Sequence, residues 1–156
     1  MAIDIGPGAV DRASNFDPGY TVLDKANPAN ATGTIDTVEL WFESDATNVQ
    51  VGTFYGSDFT YSCRDYTTIG SVTAGSKQTF TGLSIDVQTG DIIGVYFEGG
   101  YIERDTTGGV EILFKAGNQM GTTDITYSND LDDAISIYGT GVEAVVGQIL
   151  AHRKIW

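Results

Sequence analysis

Short runs of Thr, Val, Ile and aromatic residues, broken by Gly, Asn and Asp, fill this chain from about Gly19 to Tyr138. β-Branched and aromatic side chains fit a pleated, half-buried surface, and the breakers supply turns. Thr, Val and Ile number 45 against 6 Leu, so the bias is to strands. The 20 glycines follow no strict period, which indicates turns rather than collagen or linker. About ten short strands at this spacing predict an all-β fold, a jelly-roll-like antiparallel β-sandwich of about 8–10 strands. At 156 residues one body can bury a core without disulfide or metal staples.

The strand candidates, in order, are Tyr20–Asp24, Thr34–Glu43, Asn48–Tyr55, Phe59–Arg64, Thr67–Val72, Gln78–Val87, Asp91–Glu98, Tyr101–Asp105, Val110–Lys115 and Ala134–Tyr138. Alternation in Thr34–Glu43 puts Val38, Leu40 and Phe42 on a core face and Thr37, Glu39, Trp41 and Glu43 on the other. Asp91–Glu98 is apolar on both faces and predicts a central strand. Gly117–Asp133 is weakly patterned and predicts a loop with one short strand near Ile125–Tyr127.

Both ends differ from this body. Residues 1–18 read as an arm with one short strand over Ala2–Ile5, and residues 19–140 form the sandwich. Residues 141–156 read as an apolar extension, in which Val142, Val145, Val146, Ile149 and Leu150 have the spacing of one helical face. Thr140 and Glu143 have capping-box spacing. A helix from Gly141 to about His152 is one expectation and a further strand is the other. Either form makes Val142, Val145, Val146, Ile149, Leu150 and Trp156 candidate partner-docking residues, on this subunit or on a neighbour.

Charge and composition narrow the function classes. Net charge is −13, with 21 acidic against 8 basic residues, which disfavours nucleic acid and anionic membrane surfaces. No apolar run reaches the ~18 residues of a membrane span. The start, MAIDIGPGAVDR, lacks a basic region followed by an apolar stretch, so synthesis in a cytoplasm without a secretory signal is expected. Cys63 is the sole cysteine, and burial as a small apolar residue is its expected role.

Reaction chemistry is poorly represented. His152, the only histidine, lies on the basic tail, away from any nucleophile. Glu39 and Glu43 share a face but lie roughly 13 Å apart at ~3.3 Å per residue, beyond the about 5–9.5 Å of glycosidase pairs. Glu103 and Asp105, roughly 7 Å apart by the same rise, are the remaining pair. Asp130, Asp132 and Asp133, with Asp124 and Asn129, make an oxygen-rich stretch that suits Ca²⁺ without EF-hand spacing; otherwise no cofactor is expected. Trp41 and Tyr101, with Tyr55, Tyr61 and Tyr96, are candidates for a sugar-binding platform.

The run Val87-Gln88-Thr89-Gly90-Asp91-Ile92-Ile93-Gly94-Val95-Tyr96 resembles the late hairpin of viral and phage jelly-roll domains, in which Gly-Asp precedes a central strand. Asn27-Pro28-Ala29-Asn30-Ala31-Thr32-Gly33-Thr34-Ile35, followed by Val38-Glu39-Leu40-Trp41, is similar to small phage-encoded β-sandwich proteins. The resemblance spans about residues 19–140. It implies a structural protein of a virion surface, a capsid decoration (cement) or tail-associated module, partnered with itself and with a larger capsid or tail assembly. Gly-Asp before an apolar strand also occurs in carbohydrate-binding jelly rolls. A lectin-like module is therefore the alternative, and a carboxylate-dependent glycan hydrolase a minor one.

Overall fold

The computed structural model describes residues 2–145. These residues form fourteen strands and no helix, an all-β sandwich whose strand pairs are antiparallel. The strands are β1 (Ala2–Gly8), β2 (Ser14–Phe16), β3 (Tyr20–Asp24), β4 (Gly33–Ser57) and β5 (Thr60–Val72). There follow β6 (Lys77–Phe80), β7 (Ile85–Val87), β8 (Ile92–Tyr96), β9 (Gly99–Asp105) and β10 (Glu111–Ala116). The last are β11 (Ile125–Thr126), β12 (Ser128–Leu131), β13 (Ala134–Ile135) and β14 (Ile137–Glu143).

β4 organises the molecule. Drawn straight, its 25 residues would span about 80 Å, against a radius of gyration of about 15 Å for a compact chain of this length. The strand therefore bends from one layer into the other, as corner strands of sandwiches do. Its first part pairs with β14, β6 and β7, and its last part with β8 and β5. Between them it meets β9, with register shifts from Phe42 to Thr47 and a left-handed Asn48 at φ 50°. The Ser44-Asp45 turn signal thus marks a corner, and two expected strands are one. Phe59–Arg64 and Thr67–Val72 likewise merge into β5, while Gln78–Val87 splits into β6 and β7.

One layer runs β1-β14-β4 and the other β4-β8-β3-β10-β12. Between them lie Ile3, Ile5, Ile35, Leu40, Ile93, Val95 and Ile137, all fully buried, and Phe42 meets Phe97 edge-on at 5.1 Å. Val38, Leu40 and Phe42 occupy the core face as their alternation requires. β8 is central, between β4 and β3. Its other face joins a second cluster, where Ile92 and Tyr96 pack with Leu23, Phe54, Tyr61, Cys63, Leu113, Met120 and Tyr127. The weakly patterned stretch is thus a cover for β8, β3 and β10, and Cys63 is buried beneath it. β14 and β4 approach so closely that a Cβ on Gly141 would lie 1.9 Å from the Thr34 carbonyl oxygen.

Two expectations about the ends are corrected. The 1–18 segment is not a free arm: β1 runs to Gly8, pairs with β14 and buries Ile3 and Ile5 completely. Its outer edge is closed by the Asn27–Asn30 loop. Asn27 Nδ2 donates to Gly6 O at 3.0 Å, and Asn30 Oδ1 accepts from the Asp4 amide at 2.9 Å, so the edge cannot template another strand. At the other end, Gly141, Val142 and Glu143 continue β14, because β4 and β1 offer ladder partners on both sides. The expected helix therefore does not begin at Gly141, and Val146 to Trp156 lie outside the described residues.

Candidate functional site

The sequence expectations converge most closely on the outward face shared by β4, β9 and β2. Phe42 pairs with Ile102, and both are fully buried. Alternation then turns Trp41, Glu43, Tyr101 and Glu103 to the opposite face. Asn15 on β2 lies across from Glu103, and its Nδ2 donates to Glu43 Oε2. Trp41 is half-buried, with Lys77 as its cross-strand partner, and Tyr101 is 42% exposed.

Glu103 is 6% exposed and its carboxyl is pushed up to about 7. Burial is the largest cause, followed by a hydrogen bond with the Asp11 carboxyl and the negative charges of Asp11 and Glu43. A carboxyl group shielded from water beside two other acids ionises reluctantly, so Glu103 keeps its proton to higher pH. The hydrogen bond leaves no room for a glycosidic bond between the Asp11 and Glu103 carboxyls. The expected Glu103–Asp105 pair is also divided. Asp105 is held by Arg12 at 2.8 Å, while Glu103 turns to Asp11. Asp11 and Asn15 carried no signal in the sequence, because the 9–16 segment reaches Glu103 only through the β2–β9 pairing.

The acidic 130–133 stretch is organised by an arginine. Arg104 Nη2 lies 3.0 Å from Asp130 Oδ2, and its Nε donates to Asp133 Oδ2 at 2.7 Å. A guanidinium thus stands where a cation between these two carboxylates would sit. Asp132 is in the turn, at φ 66°. Asn129 donates to Glu111 at 2.8 Å, and Asp124 takes its amide bond to Ser62 Oγ. Among the described residues no group of three or more His, Cys, Asp or Glu side chains is arranged to hold a metal, so the calcium expectation finds no ligand set there.

The other aromatic candidates are dispersed. Tyr61 and Tyr96 belong to the second core cluster, and Tyr55 carries the Arg64 guanidinium 4.4 Å from its ring centroid. Of the docking candidates, Val142 and Val145 are 61% and 53% exposed. Val142 lies in β14, between Ala2 and Thr34, and Val145 follows the bond from the Ala144 amide to Thr32 O. Val146, Ile149, Leu150 and Trp156 lie outside the described residues.

The two runs that carry the phage resemblance touch each other. The Gly90 amide donates to Ala29 O at 2.8 Å, and the Ala29 amide to Asp91 O at 2.9 Å. Gly90 is left-handed at φ 92°, and buried Asp91 accepts from the Gln88 amide and from Arg64 Nε at 2.6 Å. The Gly-Asp pair thus closes the turn into β8, which is a structural task. No family model matches the chain, and no curated protein sequence matches it significantly.

Proposed function

We propose that this chain is a non-enzymatic structural module of a virion surface, a capsid decoration or tail-associated protein that assembles with copies of itself and docks on a larger particle. The observation that carries the reading is the contrast at the end of β14. Val142 and Val145 stand exposed in succession at the rim. Residues 146–156 then bring Val146, Ile149, Leu150 and Trp156 with Arg153 and Lys154, and no acid. The preceding residues hold all 21 Asp and Glu against the other 6 of the 8 basic residues. An apolar, basic segment on an acidic body is complementary to a second copy of that body. The choice of a virion rests on the resemblance of the 27–41 and 87–96 runs.

The test is the assembly state, by size-exclusion chromatography with light scattering, of the full chain and of a chain ending at Val145. The full chain is expected to be an oligomer and the shortened one a folded monomer. A monomeric full chain would end this reading. A second reading, a glycan-binding module, is favoured by Trp41 and Tyr101 on one outward face beside Glu43 and Asn15. Glycan-array binding lost in Trp41→Ala and Tyr101→Ala, and retained after removal of 146–156, would select it.

A further inference from the structure

A concavity lies beside the β2–β9 pairing and shares Asn15 with the Glu103 face. It is a cleft of about 240 Å³ lined by Asn15, Phe16, Asp17, Tyr20, Arg104, Phe114 and Asp130. Its floor is aromatic. Phe16 lies 5.6 Å from both Tyr20 and Phe114, and Tyr20 lies 6.2 Å from Phe114, all between ring centroids. Phe16 is buried, whereas Tyr20 and Phe114 keep part of their surface open.

The polar groups of this cleft are unbalanced. Arg104 is its one cation, stacked 5.1 Å over Phe16 and already paired with Asp130 and Asp133. Asp17 makes no ion pair among the described residues. Two carboxylates, Asp17 and Asp130, therefore line the cleft beside one guanidinium that buried Asp133 also neutralises, on a chain of net charge −13. Anions are repelled by this arrangement. A neutral polyol gains nothing from the excess of negative charge. An organic cation meets both parts of the site, because aromatic faces attract cations through their quadrupole and carboxylates do so by charge. Arg104 over Phe16 is an internal example of the same contact.

We infer that this cleft binds an organic cation, an alkylammonium or guanidinium group, with its charge beside Asp17 and its apolar part against Tyr20 and Phe114. The volume suits such a head group, carried by a free small molecule or by a side chain of a partner. Amide NMR shifts of the full chain, titrated with choline, N-acetyl-arginine amide and methyl glucoside, test the inference. Saturable shifts at Asn15, Asp17, Tyr20 and Phe114 are expected with the cations and not with the glucoside. Tighter binding of choline would point to a free ligand, and tighter binding of the arginine amide to a partner side chain. Asp17→Asn, at an exposed turn, is expected to fold normally and to weaken binding about tenfold. Tyr20→Leu, which keeps an apolar side chain, is expected to weaken it as well. Shifts with the glucoside alone, no saturable shift with either cation, or unchanged affinity in Asp17→Asn would overturn the assignment.

Discussion

β1 and β14 lie side by side, with Ala2 paired to Val142 and Ile5 to Gly139, yet the two ends of the chain behave differently. Going inward from Ala2, the side chains of Ile3 and Ile5 enter the main core and lose all exposure. Going outward from Val142, the apolar side chains stay in water. The same ladder thus buries the apolar side chains of β1 and leaves Val142 of β14 exposed. Apolar character alone does not mark a docking element; what matters is whether the opposite layer stands over it. Ile93 of β8 stands over Gly6 and Gly139, while Val142 stays largely exposed.

The most forceful way to break this comparison is to truncate a side chain on the buried side. Ile5→Ala removes a fully buried side chain between the layers and is expected to cost about 2–5 kcal/mol. Urea unfolding monitored by tryptophan fluorescence reads the change. A loss below about 1 kcal/mol would mean that β1 is adhesive rather than structural.

The β1 end also has a dependence on pH. Asp11, in the β1–β2 connection, is hydrogen-bonded to the Glu103 carboxyl on β9. The Glu103 carboxyl lies at about 7 against an ordinary 4.5. The native state therefore holds the Glu103 proton more tightly than the unfolded chain, and stability falls as pH rises from about 4.5 to about 7, then levels. Asp24, fully buried and accepting from the Ile135 and Ala26 amides, is raised from 3.8 to about 6, with burial as the main cause. It adds a fall between about 4 and 6. The melting temperature is expected to decline between pH 5 and 7.5, and Glu103→Gln to flatten the part above pH 6. A melting temperature that climbs over this range would contradict the raised Glu103 and Asp24 carboxyls. At most the Glu103 contribution is of order 3 kcal/mol.

Between the two ends lies the crossing of β4 and β14. Gly141→Ala puts a methyl group against the Thr34 carbonyl, and the strands must separate to admit it. The expected cost is about 1–3 kcal/mol, read as a lower urea midpoint. A neutral result would show that β14 is already loose at Gly141, and the contrast between the ends would then begin earlier in the chain.

These features differ in how far they could be read from residues alone. The core face of Val38, Leu40 and Phe42 and the central position of β8 follow from alternation, which is local. That Ser44-Asp45 is a corner within one strand is not local. It depends on β9 meeting β4 across about 55 residues, and the same turn residues serve a corner or a hairpin. The burial of Ile3 and Ile5 likewise depends on β14, at the far end of the chain. Around Glu103, the sequence supplied Trp41, Glu43 and Tyr101 as separate candidates. Only the Phe42–Ile102 pairing brings them to one face, and only the β2–β9 pairing adds Asp11 and Asn15. The Arg104 pairs, similarly, are contacts over more than twenty residues that no spacing rule anticipates.

The smallest expected effect on stability sharpens the comparison most. Val142→Thr and Val145→Thr keep β-branching, so the strand preference at Val142 is preserved while each position exchanges a methyl for a hydroxyl group. Both side chains face water in the isolated subunit, and the two changes together should move the unfolding free energy by under about 0.5 kcal/mol. If the end of β14 is where copies meet, the same substitutions place two hydroxyl groups in an apolar contact and shift the oligomer toward monomer in light scattering. A variant that loses stability as Ile5→Ala does would place Val142 inside the subunit's own core. One that keeps both its stability and its assembly would move the contact surface away from the end of β14.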